Sequence, residues 1–186
     1  MRIIAGDWRG RKLTAPPGEV TRPTADRTRE TLFSMLVSRL GSFDGLAVAD
    51  LFAGSGALGL EALSRGAASC IFVEQDAAAV RALRANIDHL QAQPRCDVRA
   101  SSVLTLPSAK QPLDLILIDP PYGSGAGAVA LERLMRLGWI GEATWISLET
   151  AAKEDPGVKA LEAVADRKVG KARITLLRAP SGFGPT

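Results

Sequence analysis

Two short stretches of the chain carry residue types and spacings that can do chemistry. The first is Asp50-Leu51-Phe52-Ala53-Gly54-Ser55-Gly56-Ala57-Leu58-Gly59. Gly54 and Gly56 allow a tight turn and close approach of backbone to a ligand, and Gly59 allows a helix to pack closely on a strand. Glu74 follows twenty residues after Gly54, where a carboxylate can hold both hydroxyls of a ribose. The spacing fits a nucleoside ligand, and Asp50 indicates which kind. A carboxylate beside the loop repels the pyrophosphate of a dinucleotide and attracts a methionine ammonium group. The pattern Asp-x-x-x-Gly-x-Gly therefore favours S-adenosylmethionine over NAD, and the chain has no GxxxxGK[ST] loop for a nucleoside triphosphate.

The second stretch is Asp119-Pro120-Pro121-Tyr122. Two prolines fix φ and remove two backbone donors, leaving the Asp119 carboxylate, the Pro120 carbonyl and the flat face of Tyr122. An exocyclic amine on a nucleobase is a poor nucleophile because its lone pair is delocalised into the ring. Two acceptors can align such an amine, and an aromatic ring can hold its base by stacking. Catalysis of this kind rests on positioning and on acceptors placed where positive charge develops. It needs no nucleophilic cysteine.

The elements that must position these groups follow from periodicity. Residues 2–14 read as an Arg- and Gly-rich hairpin, broken by Pro16-Pro17-Gly18. Thr24 can cap a helix over about 25–40, with Leu32, Phe33, Leu36, Val37 and Leu40 on one stripe. Strands are expected at 46–50, 70–74, 97–100, 113–118 and 144–148, and helices at 57–65, 77–91 and 126–137. Gly170-Lys171 marks a closing hairpin between 166–169 and 172–177. Alternating strands and helices predict an α/β fold with a mainly parallel sheet, an antiparallel edge and ligands at the carboxyl ends of the strands. One domain spanning 1–186 is expected, with residues 1–23 as a basic hairpin and linker appended to it.

Composition agrees with one globular domain: 186 residues, 46% hydrophobic and 23% charged. No apolar run approaches the ~18 residues of a membrane span. Cys70, Cys96 and His89 match no zinc spacing, so no metal site is expected, and two free cysteines suit a cytoplasmic setting. The net charge of +3 is uneven: residues 1–40 hold eight Lys/Arg against four Asp/Glu, and the remainder is nearly neutral. A basic segment on a neutral body suggests a polyanionic partner. Arg9, Arg11, Lys12, Arg22, Arg27 and Arg29 are the candidates for phosphate contacts, although Arg27 and Arg29 could instead pair with Asp26 or Glu30 on one helix. Trp8 suits hairpin packing and base stacking equally; Trp139 and Trp145 read as core.

These stretches resemble class I methyltransferases acting on exocyclic amines. Arg2–Leu13, Arg22–Phe33 and Leu51–Ala67 make the likeness more specific, being similar to bacterial 16S rRNA (guanine-N2) methyltransferases of the RsmD type over most of the chain. The resemblance implies a Rossmann-like seven-stranded sheet with helices on both faces and a reversed final hairpin. It implies transfer of one methyl group from S-adenosylmethionine to the N2 amine of a guanine in 16S rRNA, with the small ribosomal subunit or an assembly intermediate as partner; a monomer is expected. Asp119, Pro120 and Tyr122 would be catalytic. Asp50, Phe52, Ala53, Gly54, Ser55, Gly56, Glu74, Gln75, Ser102 and Val103 would hold the cofactor. Ser102 stands where many methyltransferases place Asp or Asn, and Tyr122 where many family members have Phe. The rival readings are an adenine-N6 methyltransferase, a protein glutamine methyltransferase, a non-catalytic RNA-binding assembly module and an NAD oxidoreductase. Intact Asp119 argues against the module and Asp50 against the oxidoreductase.

Overall fold

The computed structural model describes residues 1–19 and 23–183, and it contains the alternation that the sequence predicts. Helix α1 (Pro23–Leu40) precedes strand β1 (Ala47–Leu51), α2 (Ala57–Ser64), β2 (Ser69–Val73), α3 (Ala77–His89) and β3 (Cys96–Arg99). Then come β4 (Leu115–Ile118), α4 (Ala126–Arg136), β5 (Trp145–Ala151), β6 (Glu162–Val169) and β7 (Ala172–Arg178). The seven strands form one sheet in the order β3-β2-β1-β4-β5-β7-β6. The first five strands are parallel; β7 inserts antiparallel between β5 and β6. No helix among the described residues is long and apolar enough to cross a membrane.

Strand β4, at the centre, is apolar throughout (Leu115–Ile118) because both faces of the sheet are covered. Leu115 and Leu117 of β4 pack with Phe33 and Leu36 of α1, Leu60 and Leu63 of α2 and Leu83 and Ile87 of α3. Ile116 and Ile118 alternate to the other face, against Ala130, Leu131 and Leu134 of α4 and Trp139. The reversal of strand order about β1 and β4 opens a crevice at their carboxyl ends, where ligands bind in sheets of this kind.

Several boundaries differ from the sequence reading. α1 begins at Pro23, since proline's fixed φ suits the first helical position; Thr24 therefore lies inside the helix. β5 continues to Ala151 because antiparallel β7 pairs with it along its whole length. β6 starts at Glu162, earlier than its polar sequence suggests, and is bulged between Ala163 and Ala165. An edge strand facing solvent needs no apolar alternation to pair.

The expected N-terminal hairpin forms, with Ile3 and Gly10 joined through backbone hydrogen bonds and Arg2 bridged to Lys12. It is docked on the body rather than dangling from it. The carboxylate of fully buried Glu61 on α2 accepts hydrogen bonds from the N–H groups of Ile4 (2.8 Å) and Ala5 (3.1 Å). Ser64 Oγ donates to the Ala5 carbonyl and accepts from Trp8 N–H. Asn86 on α3 both accepts from Thr14 N–H and donates to its carbonyl. Trp8 packs under the Arg95 guanidinium, 5.3 Å from the ring centre, which resolves its role in favour of hairpin packing.

Candidate active site

A cleft of about 1530 Å3 opens at the carboxyl ends of β1, β2 and β4. It runs from the glycine loop past the end of β2 to the turn after β4, and on to β5 and the β6–β7 turn. Of the ten cofactor-binding candidates, Asp50, Phe52, Ala53, Gly54, Ser55, Glu74, Gln75, Ser102 and Val103 line it. Gly56 does not. A Cβ at Gly56 would meet Leu83 Cδ1 at 2.3 Å, so this glycine is demanded by the core and not by approach to a ligand. Gly54 plays the part expected of both: its φ is +57° and a Cβ there would point into open space. Gly59 packs as expected, since a Cβ would meet Phe72 and Cys70 of β2 below 3 Å. Phe52, the residue leaving β1, holds φ at +58°, a left-handed backbone that non-glycine residues rarely adopt.

Glu74 braces the loop at the tip of β2. One of its carboxylate oxygens accepts from Gly54 N–H at 2.8 Å and the other from Asp76 N–H at 2.9 Å. Each oxygen keeps a lone pair that can accept a ribose hydroxyl. Ser102 Oγ accepts from Leu104 N–H in a short 3₁₀ turn, which fixes Val103 on the cleft wall.

Asp50 lies beneath the loop, 1% exposed, and accepts from Gly59 N–H at 2.9 Å. Burial pushes its carboxyl up to about 8; the Gly59 hydrogen bond opposes the shift and the Glu74 charge adds to it. A carboxyl raised on folding holds a proton that the unfolded chain has released. Its contribution therefore makes stability fall as pH climbs from near the unfolded value, about 4, to about 8. Asp50→Asn removes that slope. In urea denaturation, the variant should match the parent at about pH 3 and exceed it increasingly up to about pH 9. A parent that is the more stable at the higher pH would contradict the burial argument.

At the other end of the cleft, Asp119 and Tyr122 sit on the turn after β4, with Pro120 buried beneath them. Asp119 faces the cleft, yet the surrounding protein raises its carboxyl well above the usual range, and neighbouring Glu149 raises it further. Glu149 on β5 is itself raised by burial. It accepts a hydrogen bond from Tyr122 Oη at 2.7 Å, and its charge acts on neighbouring Asp119. The Tyr122 ring is half exposed and tethered by this contact, and its hydroxyl is raised by burial and then by the hydrogen bond to Glu149. The strand expected at 144–148 stopped one residue short of Glu149; nothing local marks it, because its partner Tyr122 lies 27 residues earlier.

The cleft walls are acidic. Glu19, Asp26, Asp50, Glu74, Asp76, Asp119 and Glu149 line it against two bases, Arg29 and Lys171. Arg9, Arg11, Lys12 and Arg27 are exposed outside it, and Arg22 lies outside the described residues. Arg29 is a correction. It is only 6% exposed, donates to the Arg2 carbonyl and pairs with Asp26 at 3.5 Å and Glu61 at 4.0 Å. It braces the cleft wall and is not free to meet a phosphate. Lys171, read from sequence only as a turn residue, is the exposed base on the rim.

A parallel sheet whose last inserted strand runs backwards, with its cleft over the first strands, is the class I methyltransferase fold. The solved structure of yhhF from Escherichia coli shares it at a TM-score of 0.82, with 34% identity over 96% of this chain and 97% of that one. Magnesium protoporphyrin IX methyltransferase from Synechocystis PCC 6803, solved with bound SAM, shares the fold alone, at a TM-score of 0.65 and 13% identity over 87% of each chain. The chain belongs to the family described as Conserved hypothetical protein 95, whose model matches residues 1–178. Ribosomal RNA small subunit methyltransferase D of Escherichia coli is 39% identical over 150 residues, which is 81% of this chain and 74% of that protein. Its Haemophilus influenzae counterpart is 37% identical over 158 residues, covering 81% and 78%.

Proposed function

We propose that this enzyme transfers a methyl group from S-adenosylmethionine to the N2 amine of one guanine in 16S rRNA of the small ribosomal subunit. The observation that carries the reading is a single acidic cleft joining the Gly54 loop to the Asp119–Tyr122 turn. The acids Glu19, Glu74 and Asp76 on its walls favour a ligand bearing sulfonium and ammonium charges over one bearing a pyrophosphate. When bound, S-adenosylmethionine supplies an electrophilic methyl group. Glu74 would accept from the ribose, Asp50 would face the positive end, and Asp119 and Tyr122 would hold and align the amine. The curated relatives named as small-subunit rRNA methyltransferases support the substrate. Free Cys70 and Cys96 fit a cytoplasmic enzyme.

Incubating small subunits from a strain lacking the enzyme with purified protein and labelled cofactor tests the reading. Label recovered as N2-methylguanosine from 16S rRNA supports it; label in N6-methyladenosine, or in 23S rRNA or DNA, overturns the substrate. Glu74→Ala should weaken binding of S-adenosylhomocysteine by about 1.5–3 kcal/mol, measured by calorimetry; unchanged affinity would remove Glu74 from the site.

The acidic cleft repels phosphates, so the RNA backbone must lie on its rim. Substituting Arg9, Arg11, Lys12, Arg27 or Lys171 should each lower the slope of log affinity against log salt by roughly 0.7–0.9 where a contact is lost. Titrating RNA binding across salt concentrations separates these residues from bystanders, whose removal leaves the slope unchanged.

A further inference from the structure

We propose that Glu149 reads the N1–H of the target guanine and so sets the choice of base beside the amine that Asp119 aligns. The inference rests on the guanine-N2 reading above and sharpens it. Three observations on β5 and the turn after β4 lead to it.

Glu149 lines the same cleft as Asp119 and Tyr122, and its carboxylate is held in place by the Tyr122 hydroxyl at 2.7 Å. Asp119 lines the cleft beside it, close enough for the charge of Glu149 to raise the Asp119 carboxyl. Neither acid forms an ion pair among the described residues; the close cations of the molecule pair with Asp26, Glu61, Asp97 and Asp166 instead. Two carboxyls side by side, Glu149 half-buried and Asp119 open to the cleft, repel one another unless a ligand brings hydrogen-bond donors to both. Pro120 and Pro121 cannot, having no N–H.

A guanine supplies them. Its Watson–Crick edge presents N1–H directly beside the N2 amine, so two adjacent acceptors meet two adjacent donors. An ionised carboxylate accepts and never donates. Adenine presents the opposite pattern at this point: its exocyclic amine stands beside a bare N1 lone pair, which a carboxylate repels. A flipped base is read on this edge by the enzyme that holds it. Asp119 alone would accept from either amine. The second acid makes the pocket selective, and the Tyr122 hydroxyl occupies one of its oxygens, leaving the other to accept from the base.

2-Aminopurine separates this role from any other. It carries the same amine at position 2 but has a lone pair at N1. Small subunits are reconstituted from 16S rRNA carrying either guanine or 2-aminopurine at the methylated position. The ratio of kcat/KM for the two substrates is then measured for the parent enzyme and for Glu149→Gln. The glutamine keeps size and shape, and its amide can turn to donate to N1. The parent should prefer guanine by ~100-fold or more, and Glu149→Gln should narrow that preference to within ~10-fold. Because the readout is a ratio, a general loss of activity does not imitate it. S-adenosylhomocysteine affinity checks that the variant is folded. Methylation of guanine with the same preference in both enzymes would overturn the role of Glu149 and leave the guanine-N2 reading standing. Failure of the parent to methylate the guanine subunits at N2 would overturn both.

Discussion

Asp119→Ala is expected to bind S-adenosylhomocysteine as tightly as the parent and to lose methyl transfer by about 10²–10³-fold, or roughly 3–4 kcal/mol of transition-state stabilisation. Asp119 lies on the turn after β4, while the cofactor loop hangs from β1 and is braced by Glu74. Removing one carboxylate from that turn touches none of the hydrogen bonds that shape the Gly54 loop. The amine loses the acceptor that faces its N–H as positive charge develops, a contact that strengthens only on the way to the transition state. The loss should therefore fall on kcat. Single-turnover transfer of labelled methyl, with calorimetry of S-adenosylhomocysteine alongside, tests both halves. Turnover at the parent rate would discard amine alignment, and loss of cofactor affinity would move Asp119 into the cofactor site.

The largest effect on stability is expected far from the chemistry. Glu61→Ala should cost about 3–5 kcal/mol, the range for removing one partner of a buried ion pair. Glu61 is fully buried. Its two oxygens serve Ile4 N–H, Ala5 N–H and Arg65 Nε, and they stand 4.0 Å from Arg29 Nε. Deleting the carboxylate leaves two backbone donors unpaired and two guanidinium groups without their shared anion. Arg29 is already depressed by burial and gains most of its compensation from Glu61. Glu61→Gln keeps an acceptor for the hairpin but not the charge, so it should recover only part of the loss. Urea denaturation of the three proteins measures this, and protease cleavage within residues 1–14 should quicken in Glu61→Ala. A variant within ~1 kcal/mol of the parent would show that the hairpin is held by its apolar residues alone.

The sequence was most legible where a pattern is local. The glycine loop, Glu74 at its fixed distance and the buried strand ahead of Asp119 all depend on neighbours within one βα unit. Glu61, Asn86 and Glu149 were not legible, since each acts on a residue brought near only by the fold: 57, 72 and 27 positions away. Glu61 sits within an apolar helix where an acid looks like an exposed residue on the far stripe, and its burial makes sense only once the hairpin covers it. Arg29 was misjudged for the same reason, as its flanking polar residues suggest a solvated helix. Gly56 shows the limit of reading glycines by motif alone. Two glycines in one loop look equivalent, but one opens to the cleft and the other is pressed against Leu83.

The docking of the hairpin also fixes an order of events during synthesis. Residues 1–14 leave the ribosome well before their partners Glu61, Ser64 and Asn86, which follow as much as 72 residues later. At ~5–20 residues per second, Ile3 and Leu13 wait in solvent for several seconds before α2 and α3 exist to cover them. A segment made early is thus placed only once the later-made α2 and α3 exist to hold it, while β4 is still to come.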